Sequence, residues 1–384
     1  MKFNLLGRKN QSDSENEKAS VKEKFSLRLP LAVKIIYIVA GACIPLYVAF
    51  LCSTGFADFF NRYISSVFRA FTAKLTGLIP FSLAEFILLL LPVWAFILTR
   101  TVLHKYGDSF KELLSAVVCI FSVVAIVFTT FTIGFAPAYR GKTLDKKLGL
   151  EQTEVSAEEL YDTAMILASN LRRESKNVYY GNDGFSIMPY GYSEMNDKLV
   201  EAYDKVCDEY GFVQRLDSNV KPVMLSEAMS YTHITGAYTF FTGEANINVA
   251  FPDYTIPFTT AHELSHQRGI ARENEANFMA FLVCVNSDDA YIRYCAYLNM
   301  YEYVLSALAG ADTAMYLDAR YSVPGSVSNE MIAYSDFFEK YSGSVASNVS
   351  ESVNDTMLKL HGTEGTKSYG MVVDLAVAYY KTHY

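Results

Sequence analysis

Three long apolar stretches within the first 136 residues constrain what this chain can fold into more than any other feature. The first runs from Ile35 to Cys52 without a charge. The second, Phe81 to Leu103, carries Glu85 near its start and Arg100 near its end, and the third, Leu113 to Ala136, holds no ionised residue. A helix needs about 20 such residues to cross a hydrocarbon core of about 30 Å, so each stretch predicts a transmembrane helix. The chain is not membrane throughout. It is 51% apolar, yet its mean hydropathy is only +0.13, which implies a membrane part joined to one water-soluble domain of ordinary size.

The first stretch is short enough to be the core of a signal peptide. Its leader is too long for that, and no small-x-small cleavage site follows, so an uncleaved anchor is expected. The leader holds Lys2, Arg8, Lys9, Lys18, Lys22, Lys24, Arg28 and Lys34, which predicts a cytoplasmic N-terminus by the positive-inside rule. Three crossings then place everything after Ala136 outside the cytoplasm. The predicted organisation is a leader over 1–34, a transmembrane region over 35–136 and an extracytoplasmic domain over 137–384. The link from Ser53 to Pro80 reads as a partly amphipathic helix (Phe56, Phe59, Phe60, Ile64, Phe68, Phe71) suited to the membrane interface. Glu85, at a span end, is expected to snorkel there.

Charge divides the chain in the same place. Up to Ala136 there are 14 Lys/Arg against 8 Asp/Glu, and beyond it 19 against 33. An acidic domain of that kind repels phosphate backbones, which excludes nucleic acid as a partner. The six cysteines lack a CxxC pair or a tight framework, so neither a disulfide scaffold nor a cysteine metal site is expected.

The acidic part predicts an α+β fold: a small sheet followed by a mostly helical half. Ser156 and Glu159 form a capping box for a helix towards Arg173. A second helix is expected from Ser193 to Tyr210, strands between Val223 and Val249, and helix again from Pro257 to about Leu308. The Ser/Gly-rich stretches Ser322–Ser328 and Ser342–Ser352 read as connections.

Chemistry concentrates in His262-Glu263-Leu264-Ser265-His266. On a helix the two imidazoles lie one turn apart on one face and can converge on one metal ion, while Glu263 sits about 100° round and can reach a reacting water. Gly269 then lets the chain turn, and Arg272-Glu273-Asn274-Glu275-Ala276-Asn277-Phe278 opens a second helix. A two-histidine zinc site needs a third ligand, with water completing the tetrahedron. The third histidine of metzincins would fall at position 272, which is Arg272 here. A carboxylate from the second helix, the gluzincin arrangement, is what is left. Glu273 is favoured, because Asn277 lies one turn on and suits a supporting role towards a ligand histidine. Glu275 is the alternative, although it faces Arg272 and Arg268.

The run from His262 to Gly269, followed by Glu273 to Phe278, resembles an uncharacterised bacterial membrane-protein family with an HExxHxxGxxxExEANF signature. Phe241-Thr242-Gly243-Glu244-Ala245-Asn246, Pro257-Phe258-Thr259 and Ser368-Tyr369-Gly370 are similar to it as well. The resemblance implies a membrane-tethered, zincin-like (gluzincin-type) peptidase and no particular substrate. The mechanism expected is zinc-assisted hydrolysis of a peptide or protein, with Glu263 as general base. His233, Tyr238, Tyr254 and Tyr369 are candidate donors to the oxyanion. The segment Thr239–Val249 is a candidate edge strand for an extended substrate. Two other readings fit the residues: a non-catalytic, metal-binding sensor or scaffold of the envelope, and a zinc amidase acting on cell-wall peptides.

Overall fold

The computed structural model describes residues 29–106, 110–360 and 371–383. Most of the basic leader, and Tyr369, lie outside them. Helix α1 (Leu31–Cys52) is followed by α2 (Thr54–Phe60), a π turn (Asn61–Ser65) and α3 (Ser66–Gly77), then by α4 (Leu83–Tyr106) and α5 (Phe110–Gly134). Helices α1, α4 (over Leu83–Val102) and α5 are long and apolar enough to cross a membrane, as their sequences predict. Helix α1 packs along α5, and Tyr37 donates its hydroxyl to the Val118 carbonyl at 2.8 Å.

The link between the first two apolar helices is two-sided, as its pattern predicts. Phe59, Tyr63, Val67, Phe71, Leu75 and Leu78 are exposed, while Ala57, Asn61, Ser65, Arg69 and Ala73 are buried. Phe60 joins the buried side, packing on Phe50 and Ala57 rather than facing out.

The remainder is mostly helical. It comprises α6 (Ala136–Arg140), α7 (Leu144–Leu148), α8 (Ala157–Glu174), α9 (Tyr192–Glu209), β1 (Val220–Pro222), α10 (Ser226–Ser230), β2 (Gly236–Thr239) and β3 (Glu244–Ile247). After these come α11 (Thr255–Gln267), α12 (Glu273–Val285), α13 (Ala290–Ala311), α14 (Thr313–Arg320), α15 (Gly325–Glu339), α16 (Val345–Leu360) and α17 (Val372–His383). The capping box opens α8 as expected, and its stripe Leu160, Ala164, Leu167, Ala168, Leu171 is buried against α13. Residues 276–284 of α12 are buried all round. Such a helix has no solvent face and belongs to the centre of the core.

Two expectations are corrected. The stretch Ser342–Ser352 is no connection, because α16 starts within it. Ser344 accepts from the Ser347 N–H at 2.9 Å, so a serine that suggests a linker is in fact a helix cap. Gly325, inside Ser322–Ser328, likewise opens α15. The span Val223–Val249 forms strands, as expected, with a short helix ahead of them. It holds α10 and two four-residue strands, and the sheet has the order β1-β3-β2, parallel between β1 and β3 and antiparallel between β2 and β3.

Charged residues stitch the sheet to the apolar helices. Glu244 of β3 accepts from the backbone N–H groups of Leu83 and Ala84, at 3.0 and 2.9 Å. It thereby caps α4, where the helix dipole favours a carboxylate. Glu85 does not snorkel. It is buried and accepts from the N–H groups of Met224 and Leu225, at 2.9 and 2.8 Å. The buried Lys221 ammonium donates to the carbonyls of Thr76, at 3.2 Å, and Ile79, just beyond α3. Unpaired backbone groups and buried charges thus satisfy one another across the junction.

Candidate metal centre

Helix α11 begins with Pro257 in its first turn, where a missing N–H costs nothing. It ends at Gln267, and Gly269 turns the chain at φ 88, a conformation that glycine adopts without steric penalty. A side chain at 269 would also meet the Arg69 guanidinium and Asn61. The reversal carries the chain straight into α12, whose first residue is Glu273. Helix α11 therefore supplies two imidazoles and α12 a carboxylate from a few residues later.

The three side chains converge. His262 Nε2 and His266 Nε2 are 3.0 Å apart, and Glu273 Oε2 and Oε1 lie 3.2 and 3.6 Å from them. A tetrahedral ion with bonds of about 2.0 to 2.1 Å has edges of about 3.3 Å, so the donor atoms fit a metal of that size. Donor chemistry fits too: two imidazole nitrogens and a carboxylate are the set used by catalytic zinc with one position left open. The Nδ1 of His266 faces the Ile270 carbonyl at 2.8 Å, which orients the ring and leaves Nε2 towards the other ligands.

The electrostatics agree with tight coupling. Burial alone would lower the His266 imidazole, but the adjoining Glu273 carboxylate outweighs it and holds the group up at about 9. Burial of Glu273 is outweighed in turn by His266 and His262, which keep its carboxyl well below the usual range.

Glu263 lies beside the trio and is 4% exposed. Burial pushes its carboxyl up, against the pull of His262 and His266. The backbone of Tyr238 in β2 donates to it, and its Oε2 accepts from no described residue. The carboxylate has room because Gly236 lies opposite: a methyl group there would come within 2.6 Å of Oε1 and 2.7 Å of Cγ.

The other predicted side chains make their contacts outside the trio. Glu275 is tied to the Leu144 N–H at 3.0 Å and Arg272 Nη1 at 2.9 Å, so its negative charge already has a partner away from the trio. Asn277 is buried, but its Nδ2 bonds to no described residue, and it is the Ile270 carbonyl that orients His266. His233, at φ 59, is held by the Tyr341 carbonyl at 2.9 Å and by Phe338. Tyr254 donates to Glu302 at 3.4 Å. The Tyr238 ring packs on Phe135 at 5.3 Å, so it is the strand's N–H, rather than the hydroxyl, that reaches Glu263. Tyr369 lies outside the described residues. Within Thr239–Val249, β3 is the buried central strand, and β2 is the edge that borders the site.

Sequence reasoning missed several residues. Tyr139 is half-buried, and its hydroxyl is raised by desolvation and by the charge of Glu273, which places it within the field of the site. Tyr303 is pushed up to about 12 by burial, then by Glu302 and Glu273. Phe135, the first residue after α5, sets its ring 6.0 Å from that of His266, edge to face. Arg69 and Asn61 hold the turn after α11. Arg69 donates to Asn61 Oδ1 and the Gly134 carbonyl, both at 2.8 Å, to the Asn61 carbonyl at 3.3 Å and to the Arg268 carbonyl at 3.4 Å. Asn61 Nδ2 donates to the Gly269 carbonyl at 3.0 Å. None of these lies near the motif in sequence, and no local pattern marks them.

A family model described as "Protein of unknown function (DUF3810)" matches residues 59–377, well over half of the chain. The chain belongs to that family. No curated protein and no solved structure matches it significantly.

Proposed function

We propose that this member of the family is a membrane-anchored, zinc-dependent peptidase of zincin-like, gluzincin-type build, with its catalytic part outside the cytoplasm. The observation that carries the reading is the convergence of His262, His266 and Glu273, with Glu263 beside them and outside the trio. A purely structural ion would have no use for that fourth group. Bound there, zinc would polarise a carbonyl and make a water acidic enough to react near neutral pH. Glu263 then takes the proton of the attacking water and passes it to the leaving amine. Tyr139, whose hydroxyl stays protonated, donates to the oxyanion, and the outer edge of β2 receives the substrate as an added strand.

The test is metal analysis of the full chain purified in detergent. About one zinc per chain is expected, lost in His262→Ala, His266→Ala and Glu273→Ala and kept in Glu275→Ala. Zinc that survives removal of both histidines would end the proposal. Gly236→Ala gives a second check. Its methyl group displaces the Glu263 carboxylate and should lower hydrolysis at least about tenfold while the zinc content is unchanged. Undiminished hydrolysis in that variant would show that the carboxylate need not sit where it does.

A further inference from the structure

The site lies against the segment that joins the first two apolar helices. Phe135, in ring contact with His266, directly follows α5. The turn after His266 is held by Asn61 and Arg69, which line the buried side of the α2–α3 segment. The opposite side of that segment is an apolar stripe, with Phe59, Tyr63, Val67, Phe71, Leu75 and Leu78 between 54% and 82% exposed. The segment runs at both ends into helices apolar enough to cross a membrane, so once those helices are inserted the stripe faces lipid. Met224 and Leu225 are exposed apolar residues held at the start of α4. They are 64% and 48% exposed, and Glu85 in the first turn of α4 fixes their backbone.

From these constraints we propose that the substrate is a polypeptide itself anchored in the bilayer, cut close to the point where it leaves the membrane. The inference rests on the peptidase reading above. Only the α2–α3 segment, about 10 Å across with its side chains, lies between the lipid-facing stripe and the turn that follows His266. An extended chain advances about 3.3 Å per residue, so a strand rising from the surface reaches the trio within about three to six residues. A site meant for free peptides in solution would gain nothing from being held there.

The test reconstitutes the full, zinc-loaded chain in lipid vesicles. Its substrates are a pool of fusions, each one apolar helix followed by an unstructured tail of about 60 randomised residues. Cut positions are mapped by mass spectrometry. The expected result is cuts confined to about the first ten residues after the helix. Because every position sits on the same tethered molecule, local concentration cannot produce that pattern. Cuts spread evenly along the tail would overturn the proposal and leave the peptidase reading standing. No cleavage at all by the zinc-loaded chain would remove both. A spin label at Phe71 supplies a readout independent of activity. Collisions with oxygen in the lipid phase are expected to dominate, and preferential contact with a water-soluble relaxant would also overturn the proposal.

Discussion

In the full chain, Glu263→Gln is expected to lower peptide hydrolysis by about a thousandfold and to leave the zinc content at the wild-type level. Glutamine keeps the volume of the side chain and a carbonyl oxygen that can accept from the Tyr238 backbone, so the packing around Gly236 is undisturbed. What it lacks is the ability to take a proton. The trio is positioned by contacts other than Glu263: His266 is oriented by the Ile270 carbonyl, and Glu273 faces both histidines directly. Hydrolysis and metal content, measured on the same preparation, therefore separate. Wild-type turnover in this variant would remove Glu263 as the general base. Zinc lost together with activity would mean that the substitution acts on the site's structure instead.

Arg69→Met is expected to cost at least about 3 kcal/mol of stability and to weaken zinc retention. Arg69 is 1% exposed, and burial lowers its guanidinium only to about 10, so it is charged at neutral pH. Its donors serve oxygens from three separated parts of the chain: Asn61, the Gly134 carbonyl at the end of α5, and the Arg268 carbonyl behind His266. Methionine fills much of the volume and takes the guanidinium donors away from those buried acceptors. Thermal unfolding of the full chain in detergent measures the loss, and metal analysis of the surviving folded fraction measures its effect on the trio. A variant within about 1 kcal/mol of wild type would show that the buried guanidinium is replaceable by packing alone. Arg69→Lys retains a charge but not the fork of donors, and should fall between the two.

What could be read from the residues, and what could not, follows the range of the interactions concerned. The apolar helices and the amphipathic link were legible because periodicity and length are local properties, and the capping box of α8 was legible for the same reason. The two histidines were legible because four-residue spacing on a helix fixes a shared face, and Glu263 because its place about 100° round lets it reach past that face. Choosing between Glu273 and Glu275 was harder, since it depends on where α12 starts, and a shift of two residues moves the carboxylate by about 200° around the axis. The structure places Glu273 first in the helix. The Leu144 N–H and Arg272 draw Glu275 aside, and the first of these is a contact across 131 residues of chain. Glu85 was misread because its partners, Met224 and Leu225, are 139 and 140 residues away, and an isolated carboxylate at a helix end gives no hint of them. Ser344 was misread because a serine cluster looks the same whether it caps a helix or links two.

The π turn at Asn61–Ser65 carries one more implication. In a regular α-helix, residues eight apart point about 80° away from each other. Asn61 and Arg69 are eight apart, yet both address the turn behind His266, because the wider winding between them brings them into phase. Spacing here is therefore as much a requirement as residue identity. One residue gained or lost in this stretch would rotate the guanidinium off its acceptors while leaving every side chain chemically unchanged, and the disturbance would be felt some two hundred positions further along the chain.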